Sequence, residues 1–213
     1  MESSSENKVG AVMVVGGGIG GMQASLDLAE SGIKVYLVES APCIGGKMAQ
    51  LDKTFPTNDC AMCTISPKLV ECGRHLNIEI MSYAELAELR GEAGNFTAVV
   101  RHKPRYVDVS KCTGCGDCAQ KCPVSVPDAF NENQNLRRAV YKLYPQGVPN
   151  AYVIDKKGSG PCKDACPAGC NPQGYTALIK ERRYADAYRL IKETLPFPGI
   201  CGRVCARFCE KEC

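Results

Sequence analysis

Val9-Gly-Ala-Val-Met-Val-Val15-Gly16-Gly-Gly18-Ile-Gly20-Gly21-Met22 decides how the front of this chain folds. A short apolar run rich in β-branched residues suits a buried parallel strand. Glycines follow at once, and Met22 to Ser31 then reads as a helix with Leu26, Leu28 and Ala29 on its apolar side. Gly32 ends that helix, and Ile33 to Glu39 reads as a second strand closing on an acid. The whole is a βαβ unit carrying G-x-G-x-x-G at Gly16, Gly18 and Gly21. Gly16 makes the tight turn, Gly18 lets backbone approach a pyrophosphate, and Gly21 lets helix and strand pack closely. The helix N-terminus, which Gly20 precedes, offers free N–H groups and partial positive charge to phosphates. Glu39 stands where a carboxylate can accept from ribose hydroxyls.

Downstream lies Cys112-Thr-Gly-Cys115-Gly-Asp-Cys118-Ala-Gln-Lys-Cys122-Pro123. This is C-x2-C-x2-C-x3-C-P, the spacing with which bacterial ferredoxins hold a [4Fe–4S] cluster. Gly114 and Gly116 permit the turns that wrapping a cube demands, and Pro123 stiffens the exit. Zinc sites more often bring two Cys pairs separated by a longer loop.

Fifteen cysteines in 213 residues imply either a disulfide scaffold or a metal protein. The polar start, Met1 to Lys8, lacks the charged and apolar regions of a signal peptide, and no apolar run reaches the roughly 20 residues of a membrane span. The expectation is a cytoplasmic protein whose thiols stay reduced, with no membrane insertion. A net charge of +3, from 26 basic and 23 acidic residues, is too balanced for nucleic acid. The basic clusters 101–105 and 180–183 read as solvated faces, with a docking patch for an acidic redox partner as the alternative. His75 and His102 lack partners for ligation or acid–base work.

After Glu39 come Gly45-Gly46-Lys47. A Gly-Gly shortly after the second strand resembles the two-dinucleotide-domain flavoproteins, where this loop runs along FAD. The C-x2-C pair Cys60 and Cys63, with Cys72 nine residues on, leaves three readings open. The pair is a redox dithiol beside the flavin; or Cys60, Cys63 and Cys72, with Cys43, ligate another cluster; or these are small buried hydrophobes. Pro67 to Arg74 reads as a helix, and Leu76 to Met81, Asn95 to His102 and Arg105 to Val109 as strands.

Longer strings carry a more specific likeness. Residues 45–63, 103–108, 111–115 and 146–155 resemble the A subunits of the heterodisulfide reductases, over roughly residues 9 to 157. That resemblance implies FAD, several [4Fe–4S] clusters and delivery of electrons to a separate disulfide-reducing subunit, with a hydrogenase- or formate-dehydrogenase-type donor. Three departures stand out: no further N-terminal domain, no second ferredoxin motif after Asp155, and an end at Cys213 short of the later strands of an FAD domain.

From Cys162 the sequence changes character. Pro161-Cys162-Lys-Asp-Ala-Cys166-Pro precedes two expected helices, Tyr175 to Arg182 and Tyr184 to Thr194. Cys201-Gly-Arg-Val-Cys205-Ala-Arg-Phe-Cys209-Glu-Lys-Glu-Cys213 follows. This resembles the helical iron–sulfur domain of dihydropyrimidine dehydrogenase and of the glutamate synthase small subunit. Residues four apart share a helix face, so at least some of the sulfurs of Cys201, Cys205, Cys209 and Cys213 are expected to meet one cluster, with Cys162 and Cys166 supplying the remaining ligands. Cys122 or Cys166 is open to a second cluster. Cys170 has no assigned role.

The expected architecture is α/β: an incomplete Rossmann-like FAD-binding βαβ unit over residues 1–103, a ferredoxin-like insert over 104–157, and a small helical iron–sulfur module over 158–213. The expected function is electron relay between FAD and [4Fe–4S] clusters, at least one and by this count two. Alternatives are a non-enzymatic ferredoxin-like wiring module with an incomplete flavin site, or an NAD(P)H-dependent reductase of the glutamate synthase small-subunit type. The last would need a second G-x-G-x-x-G, which these residues lack.

Overall fold

The computed structural model describes residues 10–156 and 158–212; Val9 and Cys213, both named above, lie outside the described residues. Two compact units divide the chain, Met1–Asp155 and Lys156–Cys213.

In the first unit, β1 (Ala11–Val15), β2 (Lys34–Glu39) and β3 (Ile78–Ser82) form a parallel sheet in the order β1-β2-β3. Val15 pairs with Val38, and Val35 with Ile78. Parallel strands need crossovers, and two helices supply them. α1 (Ile19–Glu30) buries Met22, Ser25, Leu26 and Ala29, a stripe at helical spacing. α2 (Ala61–Arg74) does the same with Ala61, Ile65, Leu69 and Cys72. Met22, Leu26, Ala29, Ile65, Leu69 and Cys72 make one core with Val35, Leu37, Ile44 and Tyr144.

α2 starts earlier than the expected Pro67. Pro67 is its seventh residue, so the missing N–H deprives only the Cys63 carbonyl, near the start where a bond is most cheaply lost. The expected strand at Arg105 to Val109 does not form: Tyr106 adopts φ 58° and turns the chain. β4 (Ala84–Glu92) instead pairs antiparallel with β5 (Asn95–His102), the latter as expected.

The ferredoxin-like part carries α3 (Asp117–Lys121), β6 (Ser125–Pro127), β7 (Leu136–Arg138), β8 (Val140–Tyr141) and β9 (Val153–Ile154), as two small antiparallel pairs. It packs onto the sheet half of the unit. Ile44 donates to the Val148 carbonyl at 2.9 Å, the Tyr144 hydroxyl donates to the Ile44 carbonyl, and Phe130 stacks on Tyr144 with ring centres 5.6 Å apart. Arg105, expected on a solvated face, turns inward. Its guanidinium donates to the Pro42 carbonyl at 2.5 Å, to Ser82 Oγ at 3.0 Å and to the Ala151 carbonyl at 3.5 Å.

The second unit is helical: α4 (Pro161–Asp164), α5 (Pro172–Lys180), α6 (Tyr184–Lys192), α7 (Pro198–Val204) and α8 (Phe208–Lys211). α5 and α6 match the two helices expected there and pack together, while α4 packs on α8. Among the described residues no helix is long and apolar enough to cross a membrane.

Candidate flavin and iron–sulfur sites

The glycine loop is built as its spacing demands. Gly16 sits at φ 105°, a conformation other residues avoid. A Cβ on Gly21 would overlap the Gly16 carbonyl oxygen, so α1 touches the loop backbone there. Around Gly16, Gly18 and Gly20 a Cβ would meet nothing within 4 Å. Gly18 is the N-cap of α1; no side chain caps the helix and no acid occupies its first turn. The first N–H groups of a helix have no intrahelical partner, and the space beside Gly18 and Gly20 is open. Room, donors and positive helix end together fit a pyrophosphate.

The second glycine pair lies against the first. Gly45 donates to the Gly17 carbonyl at 2.7 Å, and a Cβ on Gly46 would sit 2.8 Å from the Gly18 Cα. Only glycine lets the two loops approach so closely. Lys47 points outward and pairs with Glu132 at 3.2 Å, both well exposed, which is worth little.

Glu39 ends β2 as expected but is buried and engaged. Its Oε2 accepts from Gly17 N–H at 2.6 Å, and its Oε1 from Ala41 N–H at 2.7 Å and Ser40 Oγ at 3.2 Å. A carboxylate offers about four acceptor positions, so a single position, on Oε2, is left for a ribose hydroxyl. The acid therefore holds the glycine loop in shape.

In the ferredoxin-like segment Gly114 (φ 73°) and Gly116 (φ 92°) take the left-handed turns that the wrap requires. Cys112 and Cys122 are half-buried, Cys115 and Cys118 exposed. Burial would raise the Cys122 pKa, but backbone donors at Val140, Val124 and Ala139, and the charge of Arg138, outweigh it and lower it. That favours the thiolate, the form that ligates iron. The Tyr152 N–H donates to Cys112 Sγ at 3.4 Å. Among the described residues no three His, Cys, Asp or Glu side chains converge tightly enough for a single metal ion. A cubane asks for something else, one thiolate at each of its separated iron corners. Donor type, glycine turns and thiolate stabilisation fit it.

Cys60 and Cys63 are joined as a disulfide at the start of α2, where Cys60 Sγ also accepts from Cys63 N–H at 3.1 Å. Cys72 and Cys43 lie in the core. Cys72 donates to the Met22 carbonyl at 3.7 Å. Burial, the dominant cause in both, pushes the Cys43 thiol up to about 12 and the Cys72 thiol up to about 11. The two buried cysteines thus behave as small apolar side chains, separate from the exposed pair.

In the second unit the expected helical ladder of cysteines is interrupted. The chain leaves α7 at Cys205, which is extended, and re-enters α8 after Arg207 at φ 56°. Cys201 and Cys209 therefore belong to different helices, and Cys205 Sγ accepts from Arg207 N–H at 3.3 Å. Packing of α4 on α8 brings Cys162 toward Cys209 instead. Tyr175 marks the meeting point. Burial, then negative charge at Cys209, Cys170, Cys162 and Cys166, raises its pKa. Cys170, given no role by spacing, is buried in this group.

Three family models match the chain in series. They are FAD dependent oxidoreductase over residues 11–64, 4Fe-4S binding domain over 105–128, and dihydropyrimidine dehydrogenase domain II, 4Fe-4S cluster, over 156–213. Fold and matches together define an oxidoreductase type with one FAD-binding domain and two iron–sulfur domains. Curated relatives narrow this. The chain is 54% identical over 142 residues to the second iron–sulfur A subunit of CoB–CoM heterodisulfide reductase from Methanopyrus kandleri, covering 67% of this chain and 22% of that protein. It is 49% identical over 156 residues to the A subunit of the H2:CoB–CoM heterodisulfide,ferredoxin reductase of Methanothermobacter marburgensis, covering 73% and 24%. A protein of Archaeoglobus profundus that is like the heterodisulfide reductase A subunit is 45% identical over 196 residues, covering 91% and 26%. The last match is longer than the first unit and so extends into the second. The chain is a homologue of the heterodisulfide reductase A subunits, and it spans about a quarter of the length of these relatives.

Proposed function

We propose that this chain relays electrons between FAD and two [4Fe–4S] clusters, as a heterodisulfide reductase A-type oxidoreductase serving partner redox subunits. The observation that carries the reading is the continuity between the two cradles of the first unit. From Gly45 the path runs through Ile44 to Val148, and four residues later Tyr152 N–H meets Cys112 Sγ. Flavin site and ferredoxin wrap are thereby held in one packed body, as a relay between them needs.

FAD, when bound, exchanges electrons in pairs or singly, and a cluster carries one at a time. The chain's own residues bind and orient. In this reading Gly16, Gly18, Gly20 and Gly21 receive the pyrophosphate, Glu39 accepts a ribose hydroxyl, and Gly45, Gly46 and Lys47 border the dinucleotide. Cys112, Cys115, Cys118 and Cys122 hold one cluster. The second is held in the C-terminal module by a set drawn from Cys162, Cys166, Cys201, Cys205, Cys209 and Cys213. Relatives bear names that couple hydrogen, or hydrogen and formate, to heterodisulfide and ferredoxin. The partners we infer are a hydrogenase- or formate-dehydrogenase-type donor and a disulfide-reducing subunit.

A second reading, a wiring module whose flavin pocket is completed by another polypeptide, has its own support. Among the described residues β1 is a sheet edge, and Val15, next to Gly16, is 59% exposed. Anaerobic purification followed by flavin and iron assay separates the two. Tightly held FAD with iron supports the relay reading; iron without FAD, with flavin regained only when a partner polypeptide is added, supports the wiring module.

A further inference from the structure

We propose that Tyr152 sets the reduction potential of the cluster held by Cys112, Cys115, Cys118 and Cys122, by donating hydrogen bonds to its thiolate sulfurs. The inference rests on the reading of that wrap as a [4Fe–4S] site, and deepens it. Tyr152 arrives from outside the motif, 40 residues beyond Cys112, and its N–H already reaches Cys112 Sγ at 3.4 Å. Its hydroxyl oxygen lies 3.0 Å from where a Cβ on Gly116 would sit, between Cys115 and Cys118 in sequence. One residue therefore offers two donors along the wrap, one from backbone and one from side chain.

A phenol carries a proton that it can donate. Asn150, two residues earlier, closes the same wall. Its Oδ1 lies 2.7 Å from the Cβ position of Gly114 and accepts from Lys142 Nζ at 2.7 Å. Glycines at 114 and 116 thus serve two ends: they turn the chain, and they leave room for Asn150 and Tyr152.

Reduction adds one electron from the flavin or another donor to the cluster and breaks no bond. The added negative charge falls partly on the sulfurs. Donors to those sulfurs stabilise the reduced form more than the oxidised form, so they raise the potential. Tyr152 is a positioning and tuning residue in this account, not a ligand.

The test is Tyr152→Phe in the full chain, purified anaerobically and titrated potentiometrically with EPR detection. Iron content should be unchanged. The reduction equilibrium of this cluster should move about tenfold toward the oxidised form, ~59 mV lower for a one-electron couple. The cluster of the C-terminal module should keep its midpoint, as an internal control. An unmoved midpoint at full iron content would overturn the proposal. Should the variant lose iron, the unmutated protein exchanged into D2O decides. Exchangeable protons coupled to the reduced cluster support the donor role, and their absence refutes it. Wild-type protein that holds no iron would instead sink the cluster reading beneath.

Discussion

Gly18 and Gly21 belong to one motif yet do opposite work, and single substitutions should separate them. Gly18 has φ −73° and open space beside it, so alanine there fits the backbone and intrudes only into the room proposed for phosphate. Gly18→Ala should leave the melting temperature unchanged and weaken FAD binding at least tenfold by fluorescence titration. Alanine at Gly21 collides with the Gly16 backbone. Gly21→Ala should destabilise the fold by about 1–3 kcal/mol or more in denaturant, with flavin loss following unfolding. The buried thiols make a pH prediction at the same scale. Both Cys43 and Cys72 have folded pKa values raised above the ordinary thiol value of 9.0. A raised acid favours the neutral form when folded, so its contribution is complete below pH 9 and is lost as pH rises toward 11 and 12. Urea midpoints should therefore fall across that alkaline range. Cys72→Val should flatten the fall without altering iron content; a matching loss of iron would revive Cys72 as a ligand.

At the scale of elements, the tie between the glycine loops and the ferredoxin-like segment hangs on Tyr144. Its hydroxyl satisfies the buried Ile44 carbonyl. Tyr144→Phe leaves that acceptor unpaired and should cost about 1–3 kcal/mol, read as a lower thermal midpoint of the first unit. A midpoint within error of wild type would show that the tie is dispensable. This contact also shows what a sequence withholds. The βαβ unit was legible because strand, glycines, helix and acid are neighbours in the chain, and each announces its role by spacing. Tyr144 lies 100 residues from its partner, and Arg105 reaches back 63 to Pro42; no local pattern encodes either. The run Ala84-Glu-Leu-Ala-Glu-Leu89 has helix-forming composition, yet pairing with β5 makes it a strand. In the second unit the four-residue cysteine spacing suggested a shared helix face. Arg207 at φ 56° breaks it, and the gathering of Cys170 with Cys166 and Cys209 follows from tertiary packing.

At the scale of the molecule, the boundary near Asp155 separates two units that each carry a matched iron–sulfur domain. A chain ending at Asp155 should fold, bind FAD and retain one cluster's share of iron, about half the total. Loss of both cofactors on this truncation would mean that the units fold only together. Everything functional here depends on cysteine thiolates holding iron as sulfide-bridged cubes. The most direct measurement is iron and acid-labile sulfide per chain in the anaerobic protein, with EPR before and after dithionite. About eight irons and eight sulfides per chain are expected for two [4Fe–4S] clusters, with a paramagnetic signal appearing only on reduction. Zinc in place of iron, no labile sulfide and no signal after reduction would contradict it.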